Sequence, residues 1–440
     1  MMATRIPRRI TTALLSSLSA GVVPRIGLEY IAVGRSEEIK ALVNDLNDIA
    51  AGGARFRLVV GRYGSGKSFL LQLIRNYAMD RGFVVADADL SPERRLSGSN
   101  RQGLATYREL VRNIATKTRP DGGALPAILE RWISSVSAVV RQETGLAATD
   151  VALDEAVELR IMAVIDNMES MVHGFDFATV LAAYWRGHRL GDDRQKDAAL
   201  RWLRGEFSTR TEAREALGVR VIIDDDSWYD YIKLLARLVS DIGYQGLIVL
   251  VDEMVNIYKI NHSQARQANY EKLLMMFNDT MQGKAEHLGL VFAGTPQFLD
   301  DPRRGLFSYE ALRSRLTESR FLRVGLRDTT GPILRLYPLS YEELFVLLTR
   351  LQEVHATHYA YEPNLIDADL RDFLQEVMDR LGAEQLLTPR ETIRDFITIL
   401  NLLQQHPELE FQQLLQQAEF GQDGKAEEDD EDDRLAEFRL

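Results

Sequence analysis

The feature that most constrains the fold of this chain is a glycine-rich loop between an apolar strand pattern and a helical pattern. The apolar run at residues 56–60 predicts a buried parallel strand, and apolar residues at helical spacing over 69–78 predict a helix. The loop between them, residues 61–68, reads GRYGSGKS and fits G-x-x-x-x-G-K-[ST] without a mismatch. The sequence therefore predicts a loop whose backbone N–H groups face an anion at a helix N-terminus.

The residue types in this loop suit a nucleotide phosphate chain. Glycines let the backbone turn left-handed and wrap a phosphate closely, while a lysine neutralises phosphate charge and a serine hydroxyl binds Mg²⁺. The alternative, a plain glycine turn with a surface lysine, explains the match less well. We expect ATP as the ligand and Mg²⁺ as its cofactor, held by Gly61, Arg62, Tyr63, Gly64, Ser65, Gly66, Lys67, Ser68 and Phe69.

A second apolar run, residues 247–251, ends in the acidic pair Asp252 and Glu253, which is the form of a Walker B motif. In that role Asp252, with Ser68, would hold Mg²⁺, and Glu253 would act as the base that polarises the attacking water. The alternative is a strand with a solvated end. An acid directly after the magnesium ligand favours an ATPase that hydrolyses ATP over a small-molecule kinase.

Three further positions are candidates for sensing or stabilising the terminal phosphate. Thr295 follows the apolar run 288–293 and offers a hydroxyl, although an ordinary strand-end turn is the alternative. Arg313 and Arg315, with Arg320 nearby, are candidates for an arginine finger that reaches a neighbouring subunit, and a basic exposed helix is the alternative. Arg390 lies at a predicted helix start, with Thr388 as N-cap and Pro389 at the first helical position, and is a candidate sensor arginine.

The order of patterns predicts an α/β fold with a mostly parallel sheet, since strand and helix signals alternate around the loop. We expect the first part of the core over 1–103, a helical insert over 104–218, the rest of the core over 219–335 and a helical lid over 336–420. Residues 219–223 fit either a strand or a connector. Ser340 followed by Glu343 is a capping-box signature for the first lid helix. We expect residues 421–440 to be a disordered acidic tail.

Charge and composition exclude several classes of protein. The net charge is −12, but seven consecutive acids at 427–433 carry much of it, and residues 1–35 and 303–327 are basic. Any DNA or other anionic partner is expected at those basic stretches. The chain has no cysteine, which excludes thiolate metal sites and disulfides and fits a cytoplasmic protein.

Three further predictions concern membrane spans, the start of the chain and the histidines. No run of about 18 apolar residues exists, so we expect no membrane span. The arginine- and serine-rich start is expected to form an amphipathic helix, with a cleaved presequence as the alternative. The histidines show no metal-ligand spacing, and we expect His355 and His358 on the surface.

These segments together resemble a known family. The run IAVGR at 31–35, both phosphate-site motifs, AGTP at 293–296 and LTPRE at 387–391 are similar to Orc/Cdc6-like AAA+ ATPases. The closer resemblance is to the ATP-binding D component of BREX-type phage-defence systems. That resemblance spans residues 10 to about 403 and includes LSAGVVP at 18–24, WLRGE at 202–206 and GYQGLIVLVDE at 243–253.

The resemblance implies a P-loop NTPase of the AAA+ class, a three-layer sandwich with a parallel sheet, a helical insert and a helical lid. It further implies that Val33, Gly34 and Arg35 lie near the adenine, and that the protein acts with a helicase-like partner in bacterial antiviral defence. A homo-oligomer is expected from the candidate finger arginines, which would reach a neighbouring subunit. Two other readings stay open. One is a nucleotide-gated switch or scaffold with little turnover, and the other is a transposition helper ATPase that loads another enzyme on DNA.

Overall fold

The computed structural model describes residues 6–147, 150–317, 328–381 and 388–417. The chain divides into two compact units. The first contains Met1–Arg35, Tyr63–Gly66 and Tyr337–Leu440, and the second contains Ser36–Arg62 and Lys67–Leu336. Among the described residues, no helix is both long and apolar enough to cross a membrane. The predicted acidic tail at 421–440 lies outside the described residues.

The helices are named in chain order. They are, within the described ranges, α1 (Arg8–Ser19), α2 (Ser36–Ala50), α3 (Lys67–Asp80), α4 (Gln102–Arg112), α5 (Leu125–Thr144), α6 (Val151–Glu169), α7 (Gly174–Leu190), α8 (Asp193–Leu203), α9 (Arg210–Leu217), α10 (Trp228–Asp241), α11 (Val255–Tyr258), α12 (Ser263–Met281), α13 (Pro296–Asp300), α14 (Glu310–Leu316), α15 (Tyr341–Tyr359), α16 (Asp367–Leu381), α17 (Pro389–Gln405) and α18 (Phe411–Gln417). Short 3₁₀ turns occur at Leu28–Tyr30 and Leu306–Ser308.

The second unit is built on a parallel sheet. Its strands are β1 (Ala54–Val60), β2 (Val84–Asp89), β3 (Leu247–Asp252), β4 (Leu288–Gly294) and β5 (Ile333–Arg335). Within the described residues these five strands form one sheet in the order β2-β3-β4-β1-β5, and every pairing is parallel. The predicted α/β class with a parallel sheet is confirmed. The carboxyl ends of β3, β4 and β1 are neighbours at one edge.

Helices cover both faces of this sheet because side chains alternate along each buried strand. Leu58 and Val60 of β1 belong to one hydrophobic cluster, whereas Val59 between them belongs to another. The second cluster is completed by residues of α2 and α3, such as Leu46 and Leu70. The first is completed by residues of α4 to α12. The second unit therefore has helix, sheet and helix layers.

The helical segment 104–218 is part of the same hydrophobic core as the sheet. Trp202 and Tyr107 are almost completely buried in the cluster that contains Val84 of β2 and Leu247 of β3. The Tyr107 hydroxyl donates to the carbonyl of Leu203 at 2.6 Å, which ties α4 to α8. Within the described residues, the segment contains helices α4 to α9, with isolated bridges at Val85 to Ala115 and Thr116 to Arg119.

Residues 219–223 form a connector, which was one of the two readings of that apolar run. Val219 and Ile223 are buried in the core, while Val221 accepts a hydrogen bond on its carbonyl from the Trp202 indole at 2.9 Å. The run is apolar because it crosses the core between α9 and α10. Apolar content alone does not distinguish such a segment from a strand.

The first unit is helical. Helix α1 buries Thr11, Leu14, Leu15 and Leu18 and packs against α15 and α17. The predicted capping box at the start of α15 is present, since the Glu343 N–H donates to the Ser340 hydroxyl at 3.2 Å and the Ser340 N–H donates to the Glu343 carboxylate at 2.8 Å. The predicted amphipathic N-terminal helix is also present.

Thr388 is the N-cap residue of α17 and Pro389 is its first residue, as predicted, although the Thr388 hydroxyl donates to the Glu391 carboxylate at 3.1 Å and caps no backbone N–H. One expectation in this unit needs correction. His355 is completely buried, and His358 is half-buried with its Nδ1 at 2.9 Å from the Thr11 hydroxyl. The surface prediction for these histidines was wrong because α15 packs on both α1 and α17.

The environment of His355 makes the stability of the first unit depend on pH. Its Nδ1 lies 2.8 Å from the Tyr361 hydroxyl and its Nε2 lies 3.0 Å from Asn401 Oδ1. Burial lowers the pKa of His355, the nearby His358 lowers it further, and the Asn401 hydrogen bond opposes this. Because the folded pKa is depressed, the stabilisation is complete above the unfolded pKa and is lost as the pH falls.

We predict that the melting temperature falls as the pH is lowered through the unfolded histidine pKa of about 6.5. The reason is that His355 then becomes protonated in the unfolded chain, while burial keeps its imidazole neutral in the folded protein. Thermal melts of the wild type and His355→Gln measure this directly. The variant should be less stable by about 1 to 3 kcal/mol at neutral pH, because Tyr361 and Asn401 lose a well-placed partner, but its acid-dependent decline should be smaller. An identical decline in both proteins would contradict the assignment.

Candidate functional site

The glycine loop joins β1 to α3 as the sequence predicts, with α3 beginning at Lys67. Gly64 and Gly66 have φ angles of +72° and +92°, in the left-handed region that favours glycine. A Cβ on Gly64 would also lie 2.7 Å from the Thr388 side chain, so that position excludes a side chain on two grounds. The Gly61 N–H donates to the carbonyl of Gly294 at 3.1 Å, which fixes the start of the loop to the end of β4.

In the second unit, the base of the loop brings Lys67 next to two acids. Lys67 Nζ donates to the carbonyls of Gly61 and Arg62, both at 2.9 Å. Burial lowers the pKa of Lys67, and the negative charges of Asp252 and Glu253 offset part of that effect. The ammonium group therefore lies inside the curve of the loop, where phosphate oxygens are the natural partners.

Ser68 and Asp252 lie in direct contact. The Ser68 hydroxyl donates to Asp252 Oδ2 at 2.6 Å, and Asp252 Oδ1 accepts the N–H of Glu253 at 2.7 Å. A hydroxyl and a carboxylate side by side are hard oxygen ligands, and Mg²⁺ in nucleotide sites is held by one or two such groups with substrate phosphates and water. The described residues contain no group of three or more His, Cys, Asp or Glu that would form an all-protein metal cage. The pair fits Mg²⁺.

Glu253 has an unusual backbone conformation. Its φ is +59°, which is left-handed and costs a residue with a side chain about 1 kcal/mol or more. The neighbouring backbone holds it there, because the Met254 N–H donates to the carbonyl of Ala293 at 3.0 Å. Desolvation and the charge of Asp252 raise the pKa of Glu253, against the effect of Lys67 and Lys259. A carboxylate with a raised pKa is a better proton acceptor than an ordinary surface acid.

Sequence reasoning missed Asp89 at this edge. Asp89 ends β2 and pairs in register with Asp252 of β3. Desolvation and the charges of Asp252, Asp87 and Glu253 raise the pKa of Asp89 to about 6, with Arg94 opposing them. The available signal was that β2, like β3, is an apolar run that ends in an acid.

Thr295 lies at the end of β4, between the strands that carry Asp252 and the glycine loop. Its hydroxyl accepts the N–H of Phe298 at 3.3 Å and so caps the short helix α13. The hydroxyl proton can still be donated to another group, since a threonine hydroxyl both accepts and donates. Thr295 therefore has a structural role as a cap, and its role as a sensor stays a prediction.

The candidate finger arginines differ in how they are held. Arg313 is exposed, and its Nη1 lies 4.0 Å from the Glu310 carboxylate. Arg315 is tied within the second unit, because its Nε donates to Asn278 at 3.1 Å and its Nη1 donates to the Ala311 carbonyl at 2.7 Å. Arg320 lies outside the described residues.

In the first unit, residues 33–35 contact both the tip of the glycine loop and the start of α15. Arg35 is buried, and its Nη2 donates to the carbonyl of Ser65 at 3.0 Å. Gly34 has a φ of +70°, and a Cβ there would lie 2.6 Å from Leu339 and 2.7 Å from Glu343. Val33 is half-buried. The structure thus places Arg35 against the loop backbone, and the predicted adenine contact of residues 33–35 stays a prediction.

The tip of the loop also has a buried polar atom and an arginine neighbour. Among the described residues, the Ser65 hydroxyl is buried without a hydrogen-bond partner, so it can donate to a bound phosphate oxygen. Arg390 Nη1 donates to the Tyr63 hydroxyl at 3.3 Å. Arg62 and Tyr63 are exposed, and Phe69 is half-buried in the first turn of α3.

A comparison with known families identifies the family of this chain. A family model described as BREX system ATP-binding protein BrxC/D matches residues 6–419. The chain belongs to this family. The matched region of the BrxC/D-family chain includes the glycine loop, Asp252, Glu253 and Arg390, and membership supports an ATP-binding role in BREX phage defence. A search of curated proteins gave no match. The BREX resemblance is therefore confirmed.

We predict that Arg35→Ala weakens ATP binding by roughly tenfold, because a buried charged hydrogen bond to the loop backbone contributes about 1.5 to 3 kcal/mol. Isothermal titration of the full chain with ATP measures the effect. Arg9→Ala removes an exposed arginine of α1 and serves as the matched control. Equal affinities of Arg35→Ala and the control, with both proteins folded, would mean that Arg35 does not shape the loop.

Proposed function

We propose that this BrxC/D-family chain is a Mg²⁺-dependent ATPase of the AAA+ class, which converts ATP and water to ADP and phosphate. The observation that carries the proposal is the contact between Ser68 and Asp252 at 2.6 Å, with Glu253 next along the chain. A magnesium ligand pair beside a desolvated carboxylate is what hydrolysis needs, whereas ATP binding alone needs no such base.

Each group at this edge has a distinct task in the proposed reaction. Lys67, the Ser65 hydroxyl and the loop N–H groups bind the phosphates, and Ser68 with Asp252 would hold Mg²⁺. When bound, Mg²⁺ neutralises charge that develops on the transferred phosphoryl group. Glu253 orients the attacking water and accepts its proton. Its backbone is left-handed, and strained backbone of this kind clusters at active sites.

Thr295 and the arginines would complete the site. The Thr295 hydroxyl can donate to the attacking water or to the terminal phosphate, and Arg390 is the proposed sensor arginine. We propose a homo-oligomer in which one subunit supplies an arginine finger to the next. Arg313 suits this role better than Arg315, since Arg315 is tied to Asn278 within its own subunit. Planar guanidinium groups match the charge on a transferring phosphoryl group.

The biological task we propose is ATP-driven remodelling or loading on DNA, with a helicase-like partner, inside a bacterial phage-defence complex. Family membership supports the defence setting over a transposition helper. The DNA part rests on the exposed basic side chains of Arg303, Arg313 and Arg315 in the second unit. Exposed cationic side chains provide sequence-independent attraction to phosphate backbones.

We predict that Glu253→Gln abolishes turnover but keeps ATP binding. Removal of a positioned general base lowers turnover by about 100- to 10,000-fold. Steady-state phosphate release, with and without double-stranded DNA, and ATP titration of the same protein samples check both parts. Glu286→Gln, an exposed acid of the second unit, is the matched control and should turn over normally.

Two outcomes would redirect the proposal. Tight ATP binding by a wild type that shows no hydrolysis under any condition would support the switch or scaffold reading instead. Normal turnover by Glu253→Gln would mean that another group serves as the base. Stimulation of the wild type by DNA would support work on DNA.

We predict that Arg313→Ala lowers turnover by roughly 1,000-fold or more if it is the finger, while Arg315→Ala lowers it much less. Mixing provides the decisive measurement, because a finger acts on the neighbouring subunit. Arg313→Ala mixed with Glu253→Gln should regain activity, since mixed interfaces pair an intact finger with an intact base. Failure of the mixture to regain activity would argue against a finger supplied by a neighbour.

A further inference from the structure

The side chain of Arg390 lies on the ring of Tyr63, the third residue of the glycine loop. The guanidinium carbon is 5.8 Å from the ring centroid, and Nη1 donates to the Tyr63 hydroxyl at 3.3 Å. A guanidinium within about 6 Å of an aromatic ring gains from the ring quadrupole. Both residues belong to the first compact unit. The helix α17 and the loop are therefore linked through these two side chains.

The Arg390 guanidinium also lies near Gly21. That glycine has a φ of +66°, and a Cβ built on it would lie 3.2 Å from Arg390 Nε and 3.4 Å from Nη2. The backbone at Gly21 thus leaves just enough room for the arginine. The need for this space explains the glycine in the LSAGVVP segment at 18–24, a segment to which the proposed catalytic roles assign no function.

Tyr63 contributes little to the hydrophobic core. Its side chain is 67% exposed, so a tyrosine at this position is not needed for packing. Its neighbour Gly64 lies against Thr388, the residue that precedes α17. Two consecutive loop residues therefore contact the start of the helix that carries Arg390. The aromatic ring is placed where it can hold that arginine at the phosphate-binding loop.

We propose that Tyr63 is a positioning residue that holds the Arg390 guanidinium at the glycine loop, ready to bind the terminal phosphate of ATP. The inference rests on the proposed nucleotide site and adds the group that lets the site distinguish ATP from ADP. An arginine side chain loses rotamer entropy when it is fixed. The contact with Tyr63 holds the guanidinium in place before the nucleotide arrives.

This positioning should affect the binding of ATP and not the binding of ADP. ADP lacks the phosphate that Arg390 binds, so the affinity for ADP does not depend on Tyr63. The affinity for a nucleotide with three phosphates does depend on Tyr63, because Arg390 binds the third phosphate. The hydroxyl and the ring contribute separately, and the ring is the larger part because the hydroxyl contact is long at 3.3 Å.

The test is a double-mutant cycle on the full chain, with binding of ADP and of a non-hydrolysable ATP analogue measured by titration calorimetry. Tyr63→Ala should weaken binding of the ATP analogue by roughly threefold, the size expected for an exposed cation–π pair. The affinity for ADP should not change. Tyr63→Phe keeps the ring and should keep most of the preference for the ATP analogue over ADP. Arg390→Ala should lose the preference, and adding Tyr63→Ala to it should cause no further loss. Thermal melts check that each variant is folded.

Several results would overturn the inference. If Tyr63→Ala weakens the binding of both nucleotides equally, the substitution has distorted the loop. If Tyr63→Ala binds the analogue more tightly than the wild type, Tyr63 keeps Arg390 away from the phosphate. A full additional loss in the Arg390→Ala background would show that the two residues act independently. A wild type that binds neither nucleotide would refute the proposed function as well. A wild type that binds and hydrolyses ATP, with an unchanged preference in Tyr63→Ala, would refute this inference alone.

Discussion

The hydrogen bond between Ser68 and Asp252 is the contact on which the chemistry of this protein depends. It joins the first turn of α3 to the end of β3, two elements separated along the chain by the whole helical segment 104–218. The contact exists because β4 lies between β1 and β3 in a parallel sheet, so all three strands end at one edge. Ligands of open α/β sheets bind outside the carboxyl ends of the strands. The fold therefore determines where the phosphate chemistry takes place.

The same edge concentrates negative charge beside Lys67. Asp89, Asp252 and Glu253 approach one another, and burial together with this repulsion raises the pKa of Asp89 and of Glu253. Lys67 is one of the nearby cations, and burial lowers its pKa. A bound divalent cation would relieve this repulsion, which ties magnesium binding to the electrostatics of the edge. The left-handed backbone at Glu253 adds conformational strain at the same point.

Local patterns predicted the parts of the structure that depend on local physics. The strands, the glycine loop, the capping box of α15 and the helical segment 104–218 follow from periodicity, cap chemistry and φ preferences. Contacts between distant segments could not be predicted in this way. Asp89 meets Asp252 only through strand order, and Arg35 reaches Ser65 only through tertiary packing. His355 is buried because α1 and α17 cover α15, and the 219–223 run is a connector because it crosses the core.

Hydrolysis of bound ATP is the central claim, and a single-turnover experiment tests it most directly. The wild type is held in excess over radiolabelled ATP, and the reaction is quenched in acid at successive times with Mg²⁺ or with a chelator. This method detects cleavage even when product release is slow. The account predicts that bound ATP becomes ADP and phosphate with Mg²⁺, and that it stays intact with the chelator. ATP that stays intact on the wild type in the presence of Mg²⁺ would contradict the account.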